Sequence, residues 1–234
     1  GQMALAHEIA AMVGFAGDAG VIARSAHPFT SSPHRGDVRF TTRLRADDPI
    51  GNITAVLHEA GHALYEQGFP GEHVRTPLYD APSLGAHESQ SRFWENQVGR
   101  TPAFWRRLEP VMRRHMPAAM EGLDAALLHA AASTVRPSVI RVEADEVTYN
   151  LHIVLRFELE LALVRGDLDV DDLPGAFADS MERLVGVRPA RDADGAMQDI
   201  HWADGLIGYF PTYTLGNLYA AQLAEAADEA LGGV

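Results

Sequence analysis

The most constrained stretch of this chain runs from Asp48 to Gly68. Asp48 is a good helix N-cap, and Pro49 suits the first helical turn, where its missing N–H costs nothing. No further proline intervenes before Gly68, a natural stop, so a single helix of about five turns is predicted. Inside it lies HEAGHALYEQG, residues 58–68. At helical spacing His58 and His62 share a face one turn apart, so both imidazoles can reach one ion. Glu59 is offset around the helix and can address a water on that ion without ligating it. Gly61, in mid-helix, costs about 1 kcal/mol relative to alanine, which predicts a close backbone approach.

Two histidines do not complete a catalytic metal site, which needs three protein ligands and a position for water. The 234-residue chain has no cysteine, so the third ligand must be His, Asp or Glu, and no disulfide can form. Its formal charge of −13 argues against a nucleic-acid surface, which needs a basic footprint. No apolar run approaches the roughly 20 residues of a membrane span, and no signal-peptide pattern opens the chain. With cysteine absent, a cytoplasmic protein is expected. Gly1 and Gln2 ahead of Met3 read as a tag remnant before a native start, which would make the protein naturally short. The length suits a single catalytic domain over residues 1–234.

Elsewhere the chain reads as mainly helical. A first helix is predicted over roughly Ala4 to Arg24, followed by a loop at 25–36, SAHPFTSSPHRG. DVRFTTRLR, 37–45, alternates: Val38, Phe40, Thr42 and Leu44 face one way and Arg39, Arg43 and Arg45 the other, which predicts a strand. Ser83 caps a helix that Gly99 ends, and Thr101–Pro102 open another, which Pro110 and Pro117 should divide. TVRPSVIRVE, 134–143, suits a strand. A long helix is expected over 144–166, and helices near 171–185 and 214–231 flank a segment rich in glycine and aromatics.

DVRFTTR, HEAGHALYEQG, SLGAHESQSRFWEN, MQDIHW and GYFPTYTLGN resemble, in that order, the signature segments of the M32 metallocarboxypeptidases, the Taq carboxypeptidase family. The resemblance runs from HPFT near residue 27 to Tyr219. It implies a mainly α, zincin-like (gluzincin) core with a small β-sheet beside the metal-binding helix. It further implies His58, His62 and Glu88 as ligands of one divalent metal ion and Glu59 as general base. Zinc is the first expectation, with cobalt or manganese as alternatives. His87, next to Glu88, is the competing ligand. The implied activity is hydrolysis of C-terminal residues from peptides. Against the family pattern a shortened chain is expected, lacking most of the N-terminal helical region that walls a deep groove; a homodimer could supply a wall in trans.

Three further groups are expected around the metal. An extended peptide can add along the edge of the 37–45 strand, and Arg39 or Arg43 can read its free carboxylate bidentately. The long helix carries a polar stripe of Asp145, Tyr149, His152, Arg156 and Glu160, read as a cleft wall with Arg156 as a further substrate contact. A solvated face with an Arg156–Glu160 pair is the alternative. His201 and Tyr209 or Tyr213 are candidate oxyanion donors; Asp199 could instead orient a ligand histidine. Two other readings stand beside the carboxypeptidase: an oligopeptidase or endopeptidase with a more open cleft, and a non-catalytic remnant that binds metal or peptide.

Overall fold

The structure, a computed structural model, describes residues 1–233. Among them are eight α-helices and one three-stranded sheet, the mainly helical architecture that the sequence predicts. Contacts divide the chain into two compact units, Gly1–Ala132 together with the stretch from Gly216 on, and Ser133–Leu215.

The first unit is built around α2 (Pro49–Gln67), which begins and ends as expected. The Asp48 carboxylate accepts the Gly51 N–H at 2.8 Å, and Gly68 is the C-cap. Ile53, Val56, Leu57, Ala60 and Ala63 recur at three- and four-residue spacing and are all buried. They share a core with α1 (Gln2–Met12), the sheet, α4 (Pro102–His115) and α5 (Ala125–Ala132). α3 (Leu84–Arg92) is capped by Ser83, whose hydroxyl accepts the Ala86 N–H at 3.0 Å. It continues as a π-helical turn over Phe93–Val98, ending at Gly99.

Four expectations for this unit need correction. The first helix stops at Met12 and does not reach Arg24; β1 (Gly20–Arg24) replaces its second half. Gln67 exchanges side-chain hydrogen bonds of 3.0 Å with both backbone groups of Ala16, and Phe15 packs edge-on to Phe40, so this stretch is tied to neighbours across the fold. The 25–36 loop contains β2 (Thr30–His34). The strand at 37–45 is β3 (Asp37–Thr42), and it is central, parallel to β1 and antiparallel to β2. Both its ladders are filled, so a peptide cannot add along it. Pro110 does not divide the helix after Thr101; α4 runs through it because Phe104, Trp105, Leu108, Val111 and Met112 are buried on one face, and that packing outweighs the lost backbone bond.

The second unit packs α6 (Tyr149–Arg165) on α7 (Leu173–Val185) through Leu155, Leu159, Phe177, Met181 and Val185. The predicted strand at 134–143 is absent among the described residues, and Arg141–Glu143 form a short 3-10 turn. Backbone groups there bond to side chains: Arg136 N–H to Asp145 at 2.9 Å and Arg141 N–H to Gln198 at 2.8 Å. α8 (Pro211–Leu231) starts in this unit and ends in the first. Among the described residues, no helix is long and apolar enough to cross a membrane.

Candidate metal centre

The close approach predicted at Gly61 is to α3. A methyl group there would lie 2.5 Å from the Gln90 carbonyl oxygen and 2.6 Å from Ser91 Cα. The α2 and α3 backbones therefore touch where the histidine face of one meets the glutamate of the other. On the far side of Glu88, a Cβ at Gly216 of α8 would sit 2.7 Å from Glu88 Cγ. Two glycines thus keep the space in which the Glu88 carboxylate lies.

His58, His62 and Glu88 each offer one ligand atom, and these atoms lie within 4.8 Å of one another. His62 Nε2 is 3.4 Å from Glu88 Oε2, and His58 Nε2 is 3.9 Å from Glu88 Oε1. The sequence candidate His87 is not in the group; its Nε2 pairs with Glu66 at 2.8 Å. Two imidazoles and one carboxylate are the donor set of a catalytic zinc with a coordination position left over.

The surrounding charges fit a cation. The carboxylates of Glu59, Glu88 and Glu95 all act on His58, against the guanidinium groups of Arg92 and Arg100 beside Glu95, so negative charge is in excess around the two imidazoles and a cation is favoured there. Without an ion, a proton serves: burial pushes the His58 imidazole down, but Glu88 and Glu95 outweigh it and raise its pKa to about 9. Burial would lift the Glu88 carboxyl, yet His58, His62 and Arg92 hold it well below the usual carboxylate range.

Glu59 is buried, and its Oε2 accepts the Thr30 hydroxyl at 2.6 Å. Thr30 belongs to β2 and had no signal in the sequence, since 29 residues separate it from Glu59. Glu95 and Arg92 were also missed, although both follow Glu88 at helical intervals that put them on its face. Arg92 Nε donates to Glu88 Oε1 at 3.0 Å and its Nη1 to Glu95 Oε2 at 3.1 Å. Glu95 accepts from His58 Nδ1 at 2.8 Å, which is the orienting role considered for Asp199.

The other candidates are placed differently. Arg39 is exposed and held bidentately by Asp37 in its own strand, at 2.7 Å through both nitrogens; Arg43 lies just beyond β3. In the second unit the α6 stripe is buried and is not a solvated face: His152, Arg156 and Glu160 are at most 4% exposed. Arg156 does not pair with Glu160. Asp199 takes Arg156 on one oxygen and Arg141 on the other, each at 2.7 Å, while Glu160 accepts from Trp202 at 2.8 Å. Arg156 is therefore an internal ion-pair partner and not an open substrate contact. His201 Nε2 is hydrogen-bonded to the Tyr213 hydroxyl at 2.9 Å, and the Tyr209 ring lies 5.2 Å from the His201 ring.

The sequence model of one family, described as carboxypeptidase Taq (M32) metallopeptidase, matches residues 1–234. Thermostable carboxypeptidase 1 of Thermus thermophilus is 53% identical over 231 residues, 99% of this chain and 45% of the relative. Carboxypeptidase 1 of Bacillus subtilis is 41% identical over 213 residues, 91% of this chain and 42% of the relative. Among solved structures, an M32 carboxypeptidase from Deinococcus radiodurans superposes with a TM-score of 0.94 at 43% identity, covering 98% of this chain and 46% of the other. The chain thus spans less than half the length of the relatives it matches.

Proposed function

Because this chain belongs to the carboxypeptidase Taq (M32) metallopeptidase family, we propose that it is a metal-dependent carboxypeptidase acting on the C-terminal ends of peptides. One observation carries the reading: His58, His62 and Glu88 converge, with ligand atoms within 4.8 Å of one another, on the helix face next to Glu59. A divalent ion bound there would polarise the scissile carbonyl and lower the pKa of a water towards 7. Zinc is the proposed ion, because the donor set suits it; cobalt and manganese use similar ligands.

Glu59 takes the water's proton and passes it to the leaving amine. The Thr30 hydroxyl fixes Oε2 of that carboxylate, leaving Oε1 to address the water. His201, Tyr209 and Tyr213 stay candidates for oxyanion donors on the strength of their chemistry. A single catalytic domain is part of the proposal, supported by the family match over the whole chain. The cysteine-free composition supports a cytoplasmic location. Leu215, Leu218 and Leu223, exposed on α8, are an apolar face that a homodimer would cover.

The test is release of amino acids by metal-loaded protein from a pair of N-blocked peptides, one with a free C-terminus and one amidated. Release from the free terminus alone is expected, with Glu59→Gln losing about 10²–10⁴-fold in kcat while keeping its ion. Internal cleavage of both peptides would point to an oligopeptidase or endopeptidase. No release by metal-loaded protein would point to a binding module.

A further inference from the structure

The two histidines of the centre are not equivalent. His58 Nδ1 is 2.8 Å from the Glu95 carboxylate, whereas His62 Nδ1 is buried with no hydrogen-bond partner among the described residues. Glu95 is itself anchored. Arg92, only 8% exposed, donates to it and to Glu88, so side chains close a path from one ligand to another: His58, Glu95, Arg92, Glu88. The path joins α2 to α3 and its π-helical turn, in which Glu95 sits.

From this geometry we infer that Glu95 is a positioning residue for the metal centre, holding His58 in the orientation and tautomer that present Nε2 to the ion. An ionised carboxylate can only accept, so the proton it engages must be on Nδ1. That leaves the Nε2 lone pair on the side facing Glu88. A carboxylate behind a ligating imidazole also raises its basicity and is commonly worth 10–100-fold in metal affinity. Arg92 keeps Glu95 from turning away and, through the same guanidinium, sets one oxygen of Glu88. His58 and Glu88 are thereby aligned before any ion arrives. Helix π-turns recur at functional sites, and this one carries the backing group.

The inference rests on the metal site proposed above, and its test reads zinc affinity, independent of turnover. Zinc is titrated against a competing chromophoric chelator for the wild type, Glu95→Gln, His58→Ala and the double variant. Glu95→Gln is expected to bind zinc about 10–100-fold more weakly. In the His58→Ala background the same change is expected to add little, because Glu95 then has no imidazole to back. Should Glu95→Gln fail to fold, Glu95→Asp keeps the charge towards Arg92 while shortening the reach to His58, and a similar loss is expected. Wild-type affinity in the Glu95 variants, or an equal loss with and without His58, would overturn the inference while leaving the metal site intact. A wild-type chain that binds no zinc would defeat the metal site itself, and this inference with it.

Discussion

Glu59 and its neighbour across the fold are the residues on which turnover is expected to depend most sharply. Thr30 donates to a buried carboxylate at 2.6 Å, and hydrogen bonds to charged groups contribute about 1.5–3 kcal/mol. Thr30→Val should therefore lower kcat by roughly 10–100-fold with zinc affinity unchanged, and Thr30→Ser should restore most of it. A valine variant with wild-type kcat would show that Glu59 needs no such hold. The residues of this site were unequally legible. His58, Glu59 and His62 lie within one helical turn, where spacing fixes their mutual placement. Glu88 came from the family resemblance, Arg92 and Glu95 were readable as its helical neighbours, and Thr30 was not readable, because only strand β2 brings it to Glu59.

Helix packing sets the distances between those residues. Gly61→Ala places a methyl group within 2.6 Å of α3 backbone atoms, where neither helix can yield as a side chain would. A loss of about 1–3 kcal/mol is expected, with weaker zinc binding because the two ligand-bearing helices move apart; unaltered stability would contradict the contact. In the second unit, α6 carries a buried histidine with no partner on either nitrogen among the described residues. Burial, and then Arg156 and Arg141, push the His152 pKa down from 6.5 to about 4. A pKa lowered by folding contributes stability above pH 6.5, and that contribution is lost as pH falls towards 4. The loss amounts to roughly 3 kcal/mol. His152→Gln should flatten this acid limb in zinc-free protein, and an unchanged limb would show that other groups carry it. Asp199→Asn should cost about 3–5 kcal/mol near neutrality, because it leaves two buried guanidinium groups short of their shared counter-charge; chemical denaturation measures it. Elements with strong end signals, α2 above all, were legible in the sequence. Those decided by distant partners were not: β1 depends on β3, and the 134–143 segment on Asp145 and Gln198.

At the scale of the molecule, a zincin-like helical core is present with the proposed metal ligands and base, in a chain that covers 45% of its Thermus relative. An ion that binds only the folded state stabilises it by mass action, by about 2.7 kcal/mol at a free concentration 100 times Kd. Chelation should accordingly lower Tm reversibly; a Tm indifferent to zinc and chelator would place the ion outside the folded structure. The central claim, that His58, His62 and Glu88 together hold one divalent ion, is tested most directly by equilibrium dialysis against zinc with elemental analysis. One zinc per chain is predicted for the wild type, and loss of that zinc at the same free concentration for Glu88→Ala and His62→Ala. A wild type without zinc, or a Glu88→Ala protein that keeps its full equivalent, would contradict the account.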